Sequence, residues 1–106
     1  MLESKYQSYL ITKVESLLPG CIVLKNDSAL RQGIPDLLIL FENRWGVLEV
    51  KTSERAPIQP NQEYWVDRCD KMSFGAFIYP ENEEAVLHDL QQALGAGRPA
   101  RLSFRK

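Results

Sequence analysis

Two apolar runs, Asp36-Leu37-Leu38-Ile39-Leu40-Phe41 and Trp45-Gly46-Val47-Leu48-Glu49-Val50-Lys51, flank the polar tripeptide Glu42-Asn43-Arg44. Short runs of this kind around a segment in which asparagine tolerates positive φ predict one antiparallel β-hairpin. A turn centred on Asn43, or between Asn43 and Arg44, puts Asp36 opposite Val50 or Lys51, with Glu49 an adjacent or diagonal neighbour. Side chains alternate along a strand, so Glu49 and Lys51 share a face. Pro35, just before Asp36, suits a strand start and not a strand centre. Two carboxylates and an amine therefore meet at one end of the hairpin.

Bare carboxylates in such a place repel each other. A hard divalent cation relieves that repulsion, since Mg²⁺ takes one or two carboxylates together with waters and phosphate oxygens. The cation would polarise a phosphate and acidify a water, while Lys51 orients that water or stabilises developing charge. The competing reading is a structural ion pair between Asp36 and Lys51 across the hairpin. Glu49 and Lys51 interrupt otherwise apolar strands, and buried charges are seldom kept without partners or a task, which favours the functional reading.

The segment Gly33-Ile34-Pro35-Asp36 followed by Glu49-Val50-Lys51 resembles the signature of the PD-(D/E)XK nuclease superfamily. The layout from about Glu3 to Leu94 is most similar to its small VRR-NUC branch, found as stand-alone phage proteins and as nuclease domains of repair enzymes. The resemblance implies a restriction-endonuclease-like α/β fold, an αβββαβα core in which helices flank a central mixed sheet. It implies that Asp36, Glu49 and the Val50 carbonyl hold Mg²⁺ or Mn²⁺ and that Lys51 serves the attacking water. Glu3, in the first helix, matches a glutamate that often joins the site, as catalytic residue and further metal ligand. Gln62, at the start of the helix after the lysine strand, matches an assisting glutamine. Read from the residues alone, Glu3 equally suits a helix first turn, where an acid complements the dipole. Gln62 suits solvation of a helix N-terminus, or its amide hydrogen-bonds a phosphate or steadies Lys51. The stretch Thr52-Ser53-Glu54-Arg55-Ala56-Pro57 replaces the glycine-containing turn usual in the branch.

The chain has 106 residues, 44% of them hydrophobic, which predicts one domain over residues 1–106 with a single core. A net charge of −1 does not advertise nucleic-acid binding in bulk. Basic groups would have to be focused around the acidic site, and Lys25, Arg31, Arg44, Arg55 and Lys71 are the DNA-binding candidates beside Lys51. Cys21 and Cys69 show no CxxC or Cys/His spacing and His88 is the single histidine, which argues against a zinc site or a Cys/His nucleophile. No run approaches the roughly 18 apolar residues of a membrane span. The expected location is cytoplasmic, in a reducing compartment, and the host cytoplasm if the protein is phage-encoded.

Along the chain, Tyr6, Leu10, Val14 and Leu17 or Leu18 recur at helical spacing up to Pro19-Gly20. Cys21–Leu24 reads as a first strand. After the hairpin, Pro60 is placed like the first residue of a helix whose buried stripe is Trp65, Cys69 and Met72. Trp45 reads as a core or sheet-edge residue. Ala76–Tyr79 is a further strand. Asn82 caps a last helix with Glu83 and Glu84 in its first turn and Val86, Leu87, Leu90, Ala93 and Leu94 inward. The basic tail, residues 98–106, could grip phosphate, extend the sheet as an edge strand or stay loose.

The expectation is thus a Mg²⁺- or Mn²⁺-dependent DNA endonuclease, acting as a homodimer on branched or duplex DNA, with four-way (Holliday) junctions favoured by the resemblance. The alternatives are a catalytically inactive nucleic-acid-binding or assembly module that keeps the fold, and a half-site completed by another subunit.

Overall fold

A computed structural model of the chain describes residues 1–27 and 29–95. Their order is α1 (Glu3–Leu17), β1 (Ile22–Lys25), β2 (Leu37–Phe41), β3 (Arg44–Val50), α2 (Gln62–Met72), β4 (Gly75–Ile78) and α3 (Glu83–Leu94). This is the αβββαβα succession. The tail at residues 98–106 and its reading as an edge strand lie outside the described residues.

The strands form one four-stranded sheet in the order β1-β2-β3-β4. The first three are antiparallel and β4 is parallel to β3, a return that α2 makes by crossing over the sheet. Alternation gives the sheet two faces. Leu37, Ile39, Leu48, Val50 and Ile78 point to one of them and are buried with Tyr6, Leu10, Val14 and Leu18 of the α1 segment and Leu87, Leu90 and Leu94 of α3. Val47, Glu49 and Lys51 point to the other, which α2 covers with Val66 and Cys69. Gly75 lets α2 and β4 approach, since a β-carbon there would lie 2.7 Å from the Val66 carbonyl oxygen.

The hairpin forms where the sequence put it, with its register shifted by one residue from the Asn43-centred turn and by two from the Asn43-Arg44 turn. Leu37 pairs with Leu48 and Phe41 with Arg44, so the turn is centred between Glu42 and Asn43. One step beyond Leu37, Asp36 faces Glu49, not Val50 or Lys51. The left-handed conformation falls on Glu42 (φ 57°) and not on Asn43, which tightens the connection to two residues. Several boundaries also move. The first and last strands are Ile22–Lys25 and Gly75–Ile78. Helix α2 starts at Gln62 behind Asn61, whose φ of 72° places Pro60 before the helix. Its buried stripe is Val66 and Cys69, with Trp65 half-buried and Met72 exposed. Asn82 makes no side-chain cap. Its amide straps the preceding turn instead, accepting from Tyr79 N and donating to the Phe77 carbonyl.

Candidate active site

The register brings the acidic pair together. Pro35 is buried at the entry to β2, and the Asn26 amide donates to its carbonyl at 2.8 Å while Asn26 N donates to the Asp36 carbonyl at 2.8 Å. These bonds fix the backbone of Asp36. Its carboxylate crosses to β3, where Oδ2 accepts the Val50 N–H at 2.8 Å. Glu49 lies directly across on the same face and is only 2% exposed.

Glu49 has one oxygen accounted for. Gln62 Nε2 donates to Oε2 at 3.0 Å, and the buried Oε1 meets no hydrogen-bond partner. Burial pushes the Glu49 carboxyl up to about 9, the negative charge of the facing Asp36 pushes the same way, and so does the charge of Glu3. Lys51 pulls it down without prevailing. An unpartnered buried oxygen is costly, and a carboxyl whose ionised form is so disfavoured is short of a positive partner.

Lys51 does not supply that partner. Its buried ammonium donates to the Pro57 carbonyl at 2.8 Å and to Gln62 Oε1 at 2.7 Å. The ion pairs among the described residues are Lys13 with Glu83 and Lys71 with Asp67, so the cross-hairpin pair of Asp36 with Lys51 is not formed. Gln62 is the hub. Its Oε1 accepts from Lys51 and from Gln59 N at 2.7 Å while its amide nitrogen serves Glu49.

Among the described residues no three acidic, histidine or cysteine side chains gather around one point. What the fold offers a cation is two facing carboxylates, one with a bare oxygen, and the Val50 carbonyl between Glu49 and Lys51 along β3. Oxygen donors of this number suit a hard divalent ion that keeps part of its water shell. Glu3 is exposed on the first turn of α1, where Gln7 Nε2 donates to its Oε2 at 3.3 Å. Gln7 and Asn26 escaped the sequence reading. Gln7, 7% exposed, sits on the apolar stripe of α1, and a polar residue at that position was the signal.

The cations divide. Lys25 ends β1 opposite Leu37, next to Asp36. Arg31 lies over the Trp65 ring, 5.6 Å from its centre, beside the start of α2. Arg55 is exposed on the loop that leaves Lys51. Lys71 pairs with Asp67 at 3.1 Å, nine residues or about 13 Å along α2 from Gln62. Arg44 is at the far end of the hairpin, donating to the Ala93 carbonyl. Cys21 and Cys69 are free thiols, both pushed up by burial. No helix of the described residues is long and apolar enough to cross a membrane.

No protein-family model and no curated protein matches this sequence. Among solved structures, one described as "VRR_NUC domain" is similar over 85% of this chain and 94% of its own, with a TM-score of 0.63 and 26% sequence identity. Agreement over most of both chains fixes the architecture, and the chain accordingly has a VRR_NUC-like, nuclease-type fold.

Proposed function

We propose that this chain is a Mg²⁺- or Mn²⁺-dependent endonuclease that hydrolyses DNA phosphodiesters, with preference for branched substrates such as four-way junctions. The observation that carries the reading is the bare buried Oε1 of Glu49, opposite Asp36 and unserved by Lys51. A structural ion pair would leave no such vacancy. Asp36 and Glu49, with the Val50 carbonyl, are the ligand set, and Glu3 is close enough to contribute electrostatically. A divalent cation bound there supplies Lewis-acid polarisation of a phosphate oxygen and a more acidic water. Lys51 orients the attacking water and donates to the charge that builds on the phosphate. Gln62 holds Lys51 and Glu49 at a fixed spacing, so the amine need not be immobilised during the reaction. Lys25, Arg31 and Arg55 grip the flanking backbone, and Lys71 reaches phosphate only in a substrate that runs along α2.

A domain this small offers little surface to a duplex, so the reading includes a homodimer whose two-fold axis presents two sites. Free thiols suit a reducing, cytoplasmic setting.

The test is a panel of labelled four-way junctions, flaps, nicked and intact duplexes and single strands, incubated with Mg²⁺, Mn²⁺ or chelator. Cleavage that requires the metal and disappears in Asp36→Ala and Lys51→Ala supports the proposal. Metal-independent DNA binding without cleavage points to the inactive module, and undiminished cleavage by a clean Asp36→Ala preparation rejects the assigned roles. Light scattering reads the oligomeric state, and a monomer on DNA removes the dimer from the reading.

A further inference from the structure

The loop between β3 and α2 carries an isoleucine in an unusual setting. Ile58 is 54% exposed and stands between Pro57 and Gln59, with a second proline at position 60. A lone exposed apolar side chain is ordinary on a protein surface. This one is held at the mouth of the candidate site by both of its neighbours. The Pro57 carbonyl accepts from Lys51 Nζ at 2.8 Å, and Gln59 N donates to Gln62 Oε1 at 2.7 Å. The two prolines fix φ on either side and remove backbone donors. Lys51 and Gln62 of the candidate site thus clamp the backbone before and after Ile58. Arg55, exposed three residues earlier, supplies a cation on the same loop.

We infer that Ile58 is a specificity-determining wedge that enters the base stack of DNA beside the phosphate bound at the site. The inference rests on the reading of the chain as a DNA nuclease and adds how it selects its substrate. Apolar side chains inserted between base steps partly unstack them, at a cost that is least where stacking is already broken. A wedge anchored to Lys51 and Gln62 couples that step to the site, so a branch point is accepted more readily than a continuous helix.

The experiment places 2-aminopurine at the bases flanking the branch point of a four-way junction and at the same sequence in an intact duplex. Fluorescence is read on adding the native chain, Ile58→Ala or Ile58→Leu in Ca²⁺, and cleavage is read separately in Mg²⁺. The native chain brightens the junction probe, Ile58→Ala loses the brightening at saturating protein while melting as the native chain does, and Ile58→Leu keeps it. A native chain that leaves the probe dark, or equal brightening by native and Ile58→Ala, overturns the wedge. Brightening without cleavage would overturn the catalytic reading and support the wedge, whereas cleavage with a signal indifferent to Ile58 would overturn the wedge alone.

Discussion

Glu49 concentrates the energetics of the site in one side chain. Its carboxyl stands at about 9 in the folded chain against an ordinary value of 4.5, so the metal-free fold carries it protonated at neutral pH. A raised folded value contributes stability that is fully present below about 4.5 and is lost as pH climbs towards 9. Metal-free protein should therefore melt at progressively lower temperature between pH 5 and pH 9. Glu49→Gln should flatten that decline and stabilise the chain at pH 7 by on the order of 2 kcal/mol, because its neutral amide still accepts from Gln62 and, unlike Glu, gains nothing by ionising in the unfolded chain. The same substitution should abolish cleavage. Thermal melts in chelator across this pH range check the first claim, and an unchanged slope would count against the raised carboxyl. Gln62→Ala separates positioning from folding. It strips Lys51 and Glu49 of a shared partner, and cleavage should fall at least about tenfold, the equivalent of one charged hydrogen bond. Single-turnover rates of this variant provide the measurement.

Among the elements, two contacts decide where the site residues point. Gly33 (φ 85°) lies against Asn61 (φ 72°), and a β-carbon on it would come within 2.7 Å of the Asn61 backbone. Asn61 leads directly into Gln62, so Gly33→Ala should displace the start of α2 as well as strain its own loop. We expect a stability loss of about 1–3 kcal/mol, measured by urea unfolding, together with slower cleavage. The second contact joins α1 to α3. The Glu83 carboxylate accepts from Tyr6 at 2.9 Å and Tyr9 at 2.6 Å and pairs with Lys13 at 3.3 Å. Burial alone would raise Glu83, but the hydrogen bonds from Tyr9, Tyr6 and Lys13 outweigh it and hold the carboxyl below its usual range. A depressed value means stability that is present above the ordinary carboxylate range and lost as pH falls through the folded value. Glu83→Gln should cost about 1 kcal/mol at pH 7 and progressively less as pH falls below the ordinary carboxylate range, a trend that melts over a pH series will read. Because this clamp holds the α1 turn that carries Glu3, the variant also tests whether α1 matters to the site.

At the scale of the whole molecule, one face of the sheet is given to stability and the other to chemistry. Helices α1 and α3 close the first around Leu10, Ile39, Leu48 and Ile78, each fully buried. Leu48→Ala should cost about 2–5 kcal/mol by denaturant unfolding while leaving Glu49 on its own face. On the second face α2 covers β3 and β4 with Val66 and Cys69 and leaves Ile22 and Leu24 of β1 exposed.

Much of this arrangement was legible in the chain. Element order, the hairpin, the grouping of Asp36 with Glu49 and Lys51, and the inward residues of α1 and α3 are written in periods of 2 and 3.6 residues, which sterics impose locally. The register was not. It turns on whether Glu42 or Asn43 takes the left-handed conformation, and only the packing of both sheet faces selects between the two. Nor could the sequence reveal that Gln62, offered there as a support for Lys51, also serves Glu49 and the Gln59 backbone, that Met72 is left outside the core, or that one oxygen of Glu49 is bare. Those depend on residues far apart in the chain arriving at one place, and on how much water the fold then excludes from around them. Sequence by itself determined which groups would be brought near each other. Tertiary structure decided which of them are partnered, because hydrogen-bond satisfaction and desolvation belong to the assembled volume and not to any single strand or helix.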